Sequence, residues 1–359
     1  MSTRNPSIPL HEYPARRIAI IKPSALGDIV HALPVLTALR QRFPEAHIAW
    51  VVNRSYEPLL QGHPDLDQVI PFDRGAAKLG LINALTTYHR FFRTLRQGRF
   101  DLAIDLQGLF RSGLITWGTV AARKVGLAGA REGARWFYTD VVPVPDPQAT
   151  HAVDRYWLAA EALGASGPKR FHVPIGPDDH RWAEGLLRGL PRPWLAVGVG
   201  SRWVTKRWPT DHFATLVRKA QDRFGGTAIF VGGHDETEAA RAVARRLRAV
   251  TIDLTGQTCL PRLAAVLARA DVMLANDTGP LHLAAALGRP VVAPYTCTKV
   301  ARNGPYGGFA GAVESRIWCQ GSYVKTCPRL DCMSELTPFR LWPVLLEALE
   351  RWQSTSRSA

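Results

Sequence analysis

The sequence predicts an α/β protein made of two Rossmann-like halves. Short β-branched strands alternate with helices in both halves, and a loop-like segment rich in Gly and Pro, 164–177, separates them. With 359 residues, 46% of them hydrophobic, the chain is long enough for two domains. We predict an N-terminal domain at 1–165 and a C-terminal domain at 166–359, facing each other across a cleft at the carboxyl ends of both sheets.

The first half has the alternation expected of a parallel sheet covered by helices. Apolar, β-branched runs predict its strands, and apolar residues at helical spacing predict its helices. The strands are predicted at 17–21, 47–52, 68–71, 101–105 and 124–127. The helices are predicted at 28–42, 55–61, 80–97, 107–121 and 151–163, with a connector rich in Pro and Asp at 138–150.

The second half repeats this alternation and predicts a second parallel sheet. Its strands are predicted at 194–199, 227–231, 251–254, 272–275 and 291–293. Its helices are predicted at 210–224, 236–248, 261–268, 280–287 and 338–352. We expect the last of these helices to pack back on the N-terminal domain.

The chain carries a large positive charge. Its 45 Lys and Arg residues exceed its 30 Asp and Glu residues, which gives a net charge of +15. Such a balance favours an acidic partner, namely nucleic acid, an anionic membrane surface or a phosphorylated substrate, although the Arg-rich composition of a high-GC genome would produce it too. No nucleic-acid-binding motif occurs in the sequence, so we expect no nucleic acid partner.

The sequence shows neither a membrane span nor a secretion signal. No uninterrupted apolar run reaches about 18 residues, the length that marks a transmembrane helix. Residues 1–16 are polar and contain prolines where a signal peptide would have an apolar region. We therefore expect a cytoplasmic protein.

The most informative turn in the chain is 276–279, Asn-Asp-Thr-Gly, between a predicted strand and a predicted helix that starts at Pro280. The first backbone N–H groups of a helix are unpaired and lie at the positive end of its dipole, so such a turn suits a phosphate group. The alternative is an ordinary turn in which Asp277 or Thr278 caps the helix. His282 follows on the same helix.

A similar turn, 22–28, follows the first strand and ends at Asp28. Open α/β sheets place their ligands at the carboxyl ends of strands, which favours a functional Asp28, and a helix-capping aspartate is the alternative. The dinucleotide fingerprint Gly-x-Gly-x-x-Gly and the P-loop are both absent, so the sequence supports neither a dehydrogenase nor an ATPase.

Further polar turns follow predicted strands, and the side chains of all of them could line one cleft. They include Ser24, Asp105, Gln107, Gly108, Ser201, His234, Glu236 and Glu238. Lys206 lies just before the helix at 210–224, where its charge would neutralise a phosphate. A solvated lysine is the alternative.

Five segments together resemble the inverting lipopolysaccharide heptosyltransferases of glycosyltransferase family 9. They occur in the family order, span about residues 17–300, and are highly specific as a set. They are IKPSALGDIVHALP at 21–34, DLQGLFRS at 105–112, KRWP at 206–209, VGGHDE at 231–236 and NDTGPLHLAAAL at 276–287.

This resemblance implies a GT-B fold and transfer of L-glycero-D-manno-heptose from ADP-heptose to the lipopolysaccharide inner core, usually without a metal, so we expect no cofactor. By motif, Asp28 resembles the general base and Lys206 the lysine that stabilises departing ADP. The donor set implied by the motifs is Ser201, Glu236 or Glu238 for the ribose, Asp277, Thr278, Gly279 and His282.

The implied acceptor is anionic lipid A carrying Kdo, which would bring the chain to the inner-membrane surface as a peripheral protein. Basic residues recur every three positions along 90–99, and we expect this stripe to meet anionic lipid, with a solvated helix face as the alternative. The predicted acceptor-binding residues are Ser24, Arg74, Lys78, Arg90, Arg93, Gln107 and Arg111.

Cys319, Cys327 and Cys332 cluster near the C-terminus, where some family members carry four cysteines, and Ser322 stands at the fourth position. Three thiols can hold zinc with a His or water, but no Cys-x-x-Cys pair occurs, so we predict reduced thiols and no metal. Cys259 and Cys297 are predicted to lie in the core.

The sequence leaves several functional alternatives open. The acceptor could be a protein or another glycan instead of lipopolysaccharide, or the chain could bind a sugar nucleotide without catalysis. Which heptose of the core is added, and whether the sugar is heptose, also stay open.

Overall fold

A computed structural model of the chain describes residues 8–357 except 74 and 76–79. The chain divides into two compact units, Met1–Pro174 and Ile175–Ala359, a division inside the Gly- and Pro-rich segment that the sequence marks as the linker. Within the described residues, each unit contains one parallel sheet of six strands. The predicted α/β class is therefore confirmed.

The sheet of the N-terminal unit has the strand order β3-β2-β1-β4-β5-β6. Its strands are β1 Arg17–Ile21, β2 His47–Asn53, β3 Gln68–Phe72, β4 Leu102–Asp105, β5 Arg123–Leu127 and β6 Asp140–Val142. Its helices are α1 Leu26–Arg42, α2 Leu81–Gln97, α3 Phe110–Gly118 and α4 Ala152–Ala162. The strand order reverses between β1 and β4, which is where open α/β sheets bind ligands.

The sheet of the C-terminal unit has the order β12-β11-β10-β7-β8-β9, with its reversal between β7 and β10. Its strands are β7 Trp194–Gly198, β8 Thr227–Phe230, β9 Thr251–Asp253, β10 Val272–Ala275, β11 Val291–Tyr295 and β12 Ala312–Glu314. Its helices are α5 Pro177–Leu187, α6 Thr210–Phe224, α7 Thr237–Ala244, α8 Leu260–Arg269, α9 Gly279–Ala286, α10 Val300–Asn303, α11 Asp331–Glu335 and α12 Pro338–Arg357.

Each unit has its own hydrophobic core. In the N-terminal unit, β1 is buried on both faces, and Phe91 and Leu95 of α2 pack with Phe72 on one side of the sheet. In the C-terminal unit, Leu341 and Leu345 of α12 join the core. Packing of α12 on the N-terminal unit stays a prediction.

Several predicted elements differ from the observed ones. Residues 55–61 were predicted as an α-helix, but Arg54–Leu59 is a 3-10 helix that contains Pro58, which lacks an amide hydrogen. The helix predicted at 107–121 is shorter, because Asp105 holds 107 and 108 in a turn. In the predicted connector 138–150, residues 140–142 form the short edge strand β6.

The structure also contains α5, where no helix was predicted. Pro177 stands at its first turn together with Asp178 and Asp179, a sequence typical of a helix start. Among the helices of the described residues, none combines the length and the apolar character that crossing a bilayer requires.

Candidate active site

The loops that follow β1 and β4 meet at the strand reversal of the N-terminal unit. The Ser24 amide donates to Oε1 of Gln107 across 3.4 Å, so two predicted acceptor-binding residues lie together. Buried Asp105 shapes the second loop, because its Oδ1 accepts from the amides of Gln107 at 2.8 Å and Gly108 at 3.1 Å. Its Oδ2 accepts from the Tyr138 hydroxyl at 2.7 Å.

Asp28 lies in the first turn of α1, which begins at Leu26. Its Oδ2 accepts from the Ala25 amide at 3.2 Å, and its Oδ1 accepts from the Tyr156 hydroxyl at 3.0 Å. The side chain is 37% exposed, so a substrate hydroxyl can reach it. Asp28 therefore caps the helix and is accessible at the same time. A capping role and a functional role, which the sequence offers as alternatives, are compatible at this residue.

The pKa of Asp28 lies below its ordinary value. Burial raises this pKa, but nearby Lys22, the Ala25 amide, the Tyr156 hydroxyl and Arg155 together lower it more. Asp28 is therefore ionised at neutral pH, as a general base must be before it accepts a proton.

Lys22 and Tyr156 complete this part of the site, and neither was predicted from the sequence. Lys22, 1% exposed, donates to the Tyr156 hydroxyl at 2.8 Å and to the Leu106 carbonyl at 3.2 Å. Its Nζ lies 3.9 Å from Oδ1 of Asp28. A lysine directly after an apolar strand is a usable signal, whereas Tyr156 looks like any apolar position of a helix.

The other predicted acceptor residues are not gathered with Asp28 by any contact seen here. Arg90 and Arg93 are exposed on α2, and Arg111 is exposed in the first turn of α3. Arg74 and Lys78 lie outside the described residues. Acceptor binding by these five side chains stays a prediction.

In the C-terminal unit, Asp277 follows β10 and is 4% exposed. Its Oδ2 accepts from Lys206 Nζ at 2.5 Å and from the Thr298 hydroxyl at 2.6 Å, and its Oδ1 lies 3.3 Å from Nε2 of His282. Burial raises the pKa of Asp277, but the opposing effect of Lys206 and His282 is larger. The pKa of this carboxyl therefore lies well below its usual range. Three predicted donor-side residues thus form one network, with Thr298 as a partner that sequence reasoning missed.

Lys206 ends a short 3-10 helix, Val204–Lys206, and is 16% exposed. Fully buried Asn276, directly after β10, holds the chain on both sides of this helix, because its side chain accepts from the Trp208 amide at 3.1 Å and donates to the Val199 carbonyl at 2.7 Å. Nζ of Lys206 also lies 4.7 Å from the Trp203 ring centroid. The alternative of a freely solvated lysine is therefore wrong.

Helix α9 begins at Gly279, directly after this network. Thr278 is its N-cap, and in the described structure its side chain makes no capping hydrogen bond. The Asp277 carboxylate is engaged by Lys206, Thr298 and His282. A simple capping role for this turn is therefore not supported, and the first N–H groups of α9 are suited to an anion.

The structure separates the two glutamate candidates for the ribose. The side chain of Glu236 packs against Gly200 and Gly232, which lie two residues after the ends of β7 and β8. A Cβ atom added to either glycine would come within 2.0 Å of this side chain. Burial raises the pKa of Glu236. Glu238 is exposed in the first turn of α7, so Glu236 is the better candidate. Ser201 is buried in the loop after β7.

The cysteines give no metal site in the part of the chain that the structure describes, where no group of three or more His, Cys, Asp or Glu side chains could hold an ion. Cys297 is buried, as predicted. The prediction for Cys259 is wrong: this residue is exposed, because it lies outside helix α8 at its N-cap. Burial raises the pKa of Cys332 to about 11, so this thiol is protonated at neutral pH.

The chain is similar to known proteins over most of its length. The model of the family described as glycosyltransferase family 9 (heptosyltransferase) matches residues 88–332. Lipopolysaccharide heptosyltransferase 1 of Pseudomonas aeruginosa is 32% identical over 327 residues, which cover 87% of this chain and 87% of that protein.

Two solved structures share the architecture. Escherichia coli heptosyltransferase WaaC with ADP matches with a TM-score of 0.74 and 27% identity, covering 92% of this chain and 99% of that chain. A family 9 glycosyl transferase from Veillonella parvula matches with a TM-score of 0.80 and 24% identity, covering 96% of this chain and 99% of that chain.

Proposed function

The chain belongs to glycosyltransferase family 9, the heptosyltransferases, and we propose that it transfers L-glycero-D-manno-heptose from ADP-heptose to the inner core of lipopolysaccharide with inversion. The GT-B class expected from the sequence is confirmed by its structural relatives. The observation that carries the proposal is that the chain has both groups that an inverting transfer needs. One unit has an ionised, accessible carboxylate, Asp28, that can act as a base, and the other has a cation, Lys206, beside the start of α9.

On the acceptor side, Asp28 takes the proton of the attacking hydroxyl. Its two hydrogen bonds orient the carboxylate, and its exposed fraction leaves room for the acceptor. The hydroxyl oxygen forms a bond to the anomeric carbon while the bond from that carbon to the ADP oxygen breaks on the opposite face. The electron pair leaves with ADP, and the anomeric configuration inverts.

On the donor side, Lys206 and the first N–H groups of α9 stabilise the negative charge that develops on the departing diphosphate. Asp277, held by Thr298 and His282, keeps Lys206 in place. Ser201 and the 278–279 turn contribute further contacts to phosphate and sugar, and Glu236 binds the ribose. Because an ammonium group and backbone N–H groups stabilise this negative charge without a metal ion, we expect transfer to proceed in EDTA.

We further propose that α2 approaches the anionic inner-membrane surface that holds the acceptor. Its first turns expose Ile82 (77%) and Leu85 (61%), and exposed Arg90 and Arg93 follow along the helix. Apolar side chains next to arginines are typical of helices that lie at a lipid interface. Arg74 and Lys78, which precede α2 in the sequence, would add to the same attraction.

The decisive test is an ADP-release assay with ADP-L-glycero-D-manno-heptose and Kdo₂-lipid A or its heptosylated form. Loss of the base in Asp28→Asn should lower kcat by about a hundredfold to ten-thousandfold, with ADP binding retained. Asp101→Asn is the matched control, because Asp101 also accepts from backbone amides, those of Arg16 and Arg17, but lies at the amino end of β4.

Three outcomes separate the candidate functions. Release with one of the two acceptors, lost in Asp28→Asn alone, supports the proposal and identifies which heptose is added. Tight binding of ADP-heptose without release would contradict the lipopolysaccharide acceptor and favour a protein or another glycan. Full activity of Asp28→Asn would contradict its role as the base.

A further inference from the structure

Three side chains from distant parts of the N-terminal unit form one chain of contacts that ends at Asp28. Lys22 lies just after β1, Asp28 in the first turn of α1, and Tyr156 in the middle of α4. The Lys22 ammonium donates to the Tyr156 hydroxyl at 2.8 Å, and that hydroxyl donates to Oδ1 of Asp28 at 3.0 Å. Lys22 also lies 4.4 Å from the centroid of the Tyr156 ring.

The direction of these hydrogen bonds follows from the donors available. An ammonium group only donates, so the Tyr156 hydroxyl accepts from Lys22 and must give its single proton to the Asp28 carboxylate. Lys22 is 1% exposed and Tyr156 is 3% exposed, so water does not compete for either bond. A buried cation is therefore linked through a neutral hydroxyl to a carboxylate that is 37% exposed.

We propose that Lys22 and Tyr156 are positioning residues that keep Asp28 ionised and orient its carboxylate while an anionic acceptor occupies the site. This inference rests on the proposed function. Negative charges of an acceptor would favour the protonated form of Asp28, and a fixed buried cation opposes that effect. The tyrosine hydroxyl and the Lys22 ammonium, 3.9 Å from Oδ1, lie on the buried side of the carboxylate, which leaves the exposed side of Asp28 to the substrate hydroxyl.

Other charged or titratable groups lie on the elements around Asp28. Arg155 of α4 also lowers the pKa of Asp28. His31 of α1 and His151 at the start of α4 stack edge to face, with ring centroids 5.3 Å apart. The backbone amide of Ala25 is the remaining contact. The test therefore uses substitutions that leave all four of these groups unchanged.

The test is the pH profile of kcat for ADP release with saturating acceptor, measured in Tyr156→Phe and Lys22→Met, because kcat reports ionisation in the substrate complex. Loss of a hydrogen bond to the ionised form should move the acidic limb of Tyr156→Phe upward by about one to two pH units, with KM for ADP-heptose unchanged. Lys22→Met should move it in the same direction. A limb in Tyr156→Phe that coincides with the wild-type limb would overturn the proposal.

Tyr138→Phe is the matched control. Like Tyr156→Phe, it removes a hydrogen bond from a tyrosine hydroxyl to a carboxylate of the same unit, in this case the 2.7 Å bond to buried Asp105. We expect its acidic limb to stay at the wild-type position. An equal shift in Tyr138→Phe would show that the loss of a tyrosine–carboxylate bond elsewhere in the unit produces the same effect, and it would overturn the proposal.

A second readout does not depend on the acceptor. The Asp28 carboxyl is titrated by carbon-13 NMR, with its signal assigned by its absence in Asp28→Asn, and its midpoint should rise in Tyr156→Phe. If wild-type protein fails to transfer to lipopolysaccharide, the proposed function fails while this titration still tests the contacts of Asp28. An unchanged midpoint in Tyr156→Phe would overturn the inference even if transfer is normal.

Discussion

Each unit places a lysine beside an aspartate at the point where the strand order of its sheet reverses. The lysine is the more buried residue of the pair in the N-terminal unit, and the aspartate is the more buried one in the C-terminal unit. In the N-terminal unit, Lys22 is 1% exposed and Asp28 is 37% exposed; their charged atoms lie 3.9 Å apart, and the hydroxyl of Tyr156 is hydrogen-bonded to both. In the C-terminal unit, Asp277 is 4% exposed and Lys206 is 16% exposed, and the two are bonded directly at 2.5 Å.

This difference shows how one kind of pair can serve two chemistries. The buried partner fixes the charge state, and the more exposed partner is available to the substrate. The N-terminal unit therefore presents a carboxylate, which suits proton removal, and the C-terminal unit presents an ammonium group, which suits a diphosphate. Four experiments examine this comparison and the approach of the acceptor.

The largest effect is expected from removing the exposed lysine. Lys206→Met keeps the aliphatic length but loses the charge that faces the departing diphosphate. We expect kcat for ADP release to fall by about a hundredfold to a thousandfold, and ADP to bind more weakly in calorimetry.

The matched control for this prediction is Lys219→Met. Lys219 lies on α6 with its Nζ 4.4 Å from the Trp342 ring centroid, so it too contacts a tryptophan, but it is exposed to solvent. We expect wild-type kcat from this variant. Wild-type kcat in Lys206→Met would show that the C-terminal pair is structural.

A smaller effect concerns stability, measured by urea unfolding in double-mutant cycles. Lys206→Met leaves Asp277 buried without its counter-charge and should cost about 3 kcal/mol, much of which Lys206→Met/Asp277→Asn should restore without restoring activity. The cycle at Lys22 and Asp28 should give a coupling energy of only about 1 kcal/mol, because the two charged atoms lie 3.9 Å apart and solvent reaches the 37% exposed side chain of Asp28. Equal coupling energies would remove the distinction between the pairs.

The loss of unfolding free energy in Lys206→Met should depend on pH. The pKa of Asp277 is depressed in the folded protein, so the pair contributes its stability above the ordinary aspartate pKa of about 4 and loses it as the pH falls. The difference in unfolding free energy between wild type and Lys206→Met should therefore be largest near neutral pH and should narrow below about pH 4. A difference that widens in acid would contradict this assignment.

The smallest effect is expected on the acceptor approach. Reversing two charges, Arg90→Glu with Arg93→Glu, should raise the KM for Kdo₂-lipid A at least about fivefold and weaken binding to anionic vesicles, while KM for ADP-heptose stays constant. The control is the same reversal at exposed Arg218 and Arg248 of the C-terminal unit. An unchanged acceptor KM would indicate that this face of α2 is merely solvated.

The sequence predicts elements best where their ends carry local signals. Helix α6 runs between Pro209 and Gly225 and was predicted with its observed bounds, as was the apolar strand β10. The strand β6 has three residues at a sheet edge, too few to show a periodic pattern. Helix α5 was missed although Pro177 marks its start, because the surrounding glycines and prolines favoured a loop.

The same reasoning applies to the site. Asp28, Lys206 and Asp277 stand in polar turns after strands, where spacing and chemistry point to function. Tyr156 could not be found in this way, because it contacts Lys22 across 134 positions of the chain and looks apolar in its own helix. Thr298 likewise meets Asp277 only through the adjacency of β10 and β11.

The two glycines against Glu236 have a consequence for how this sequence can vary. A side chain at Gly200 or Gly232 would occupy the volume of the Glu236 carboxylate, although neither glycine contributes a functional group. Gly200 and Glu236 should therefore change together: in homologues where a short residue replaces Glu236, larger residues should become tolerated at Gly200, whereas the backbone of Gly232, with φ of 154°, favours glycine in either case. A library that randomises Gly200 alone should yield few active variants, and one that randomises positions 200 and 236 together should yield more.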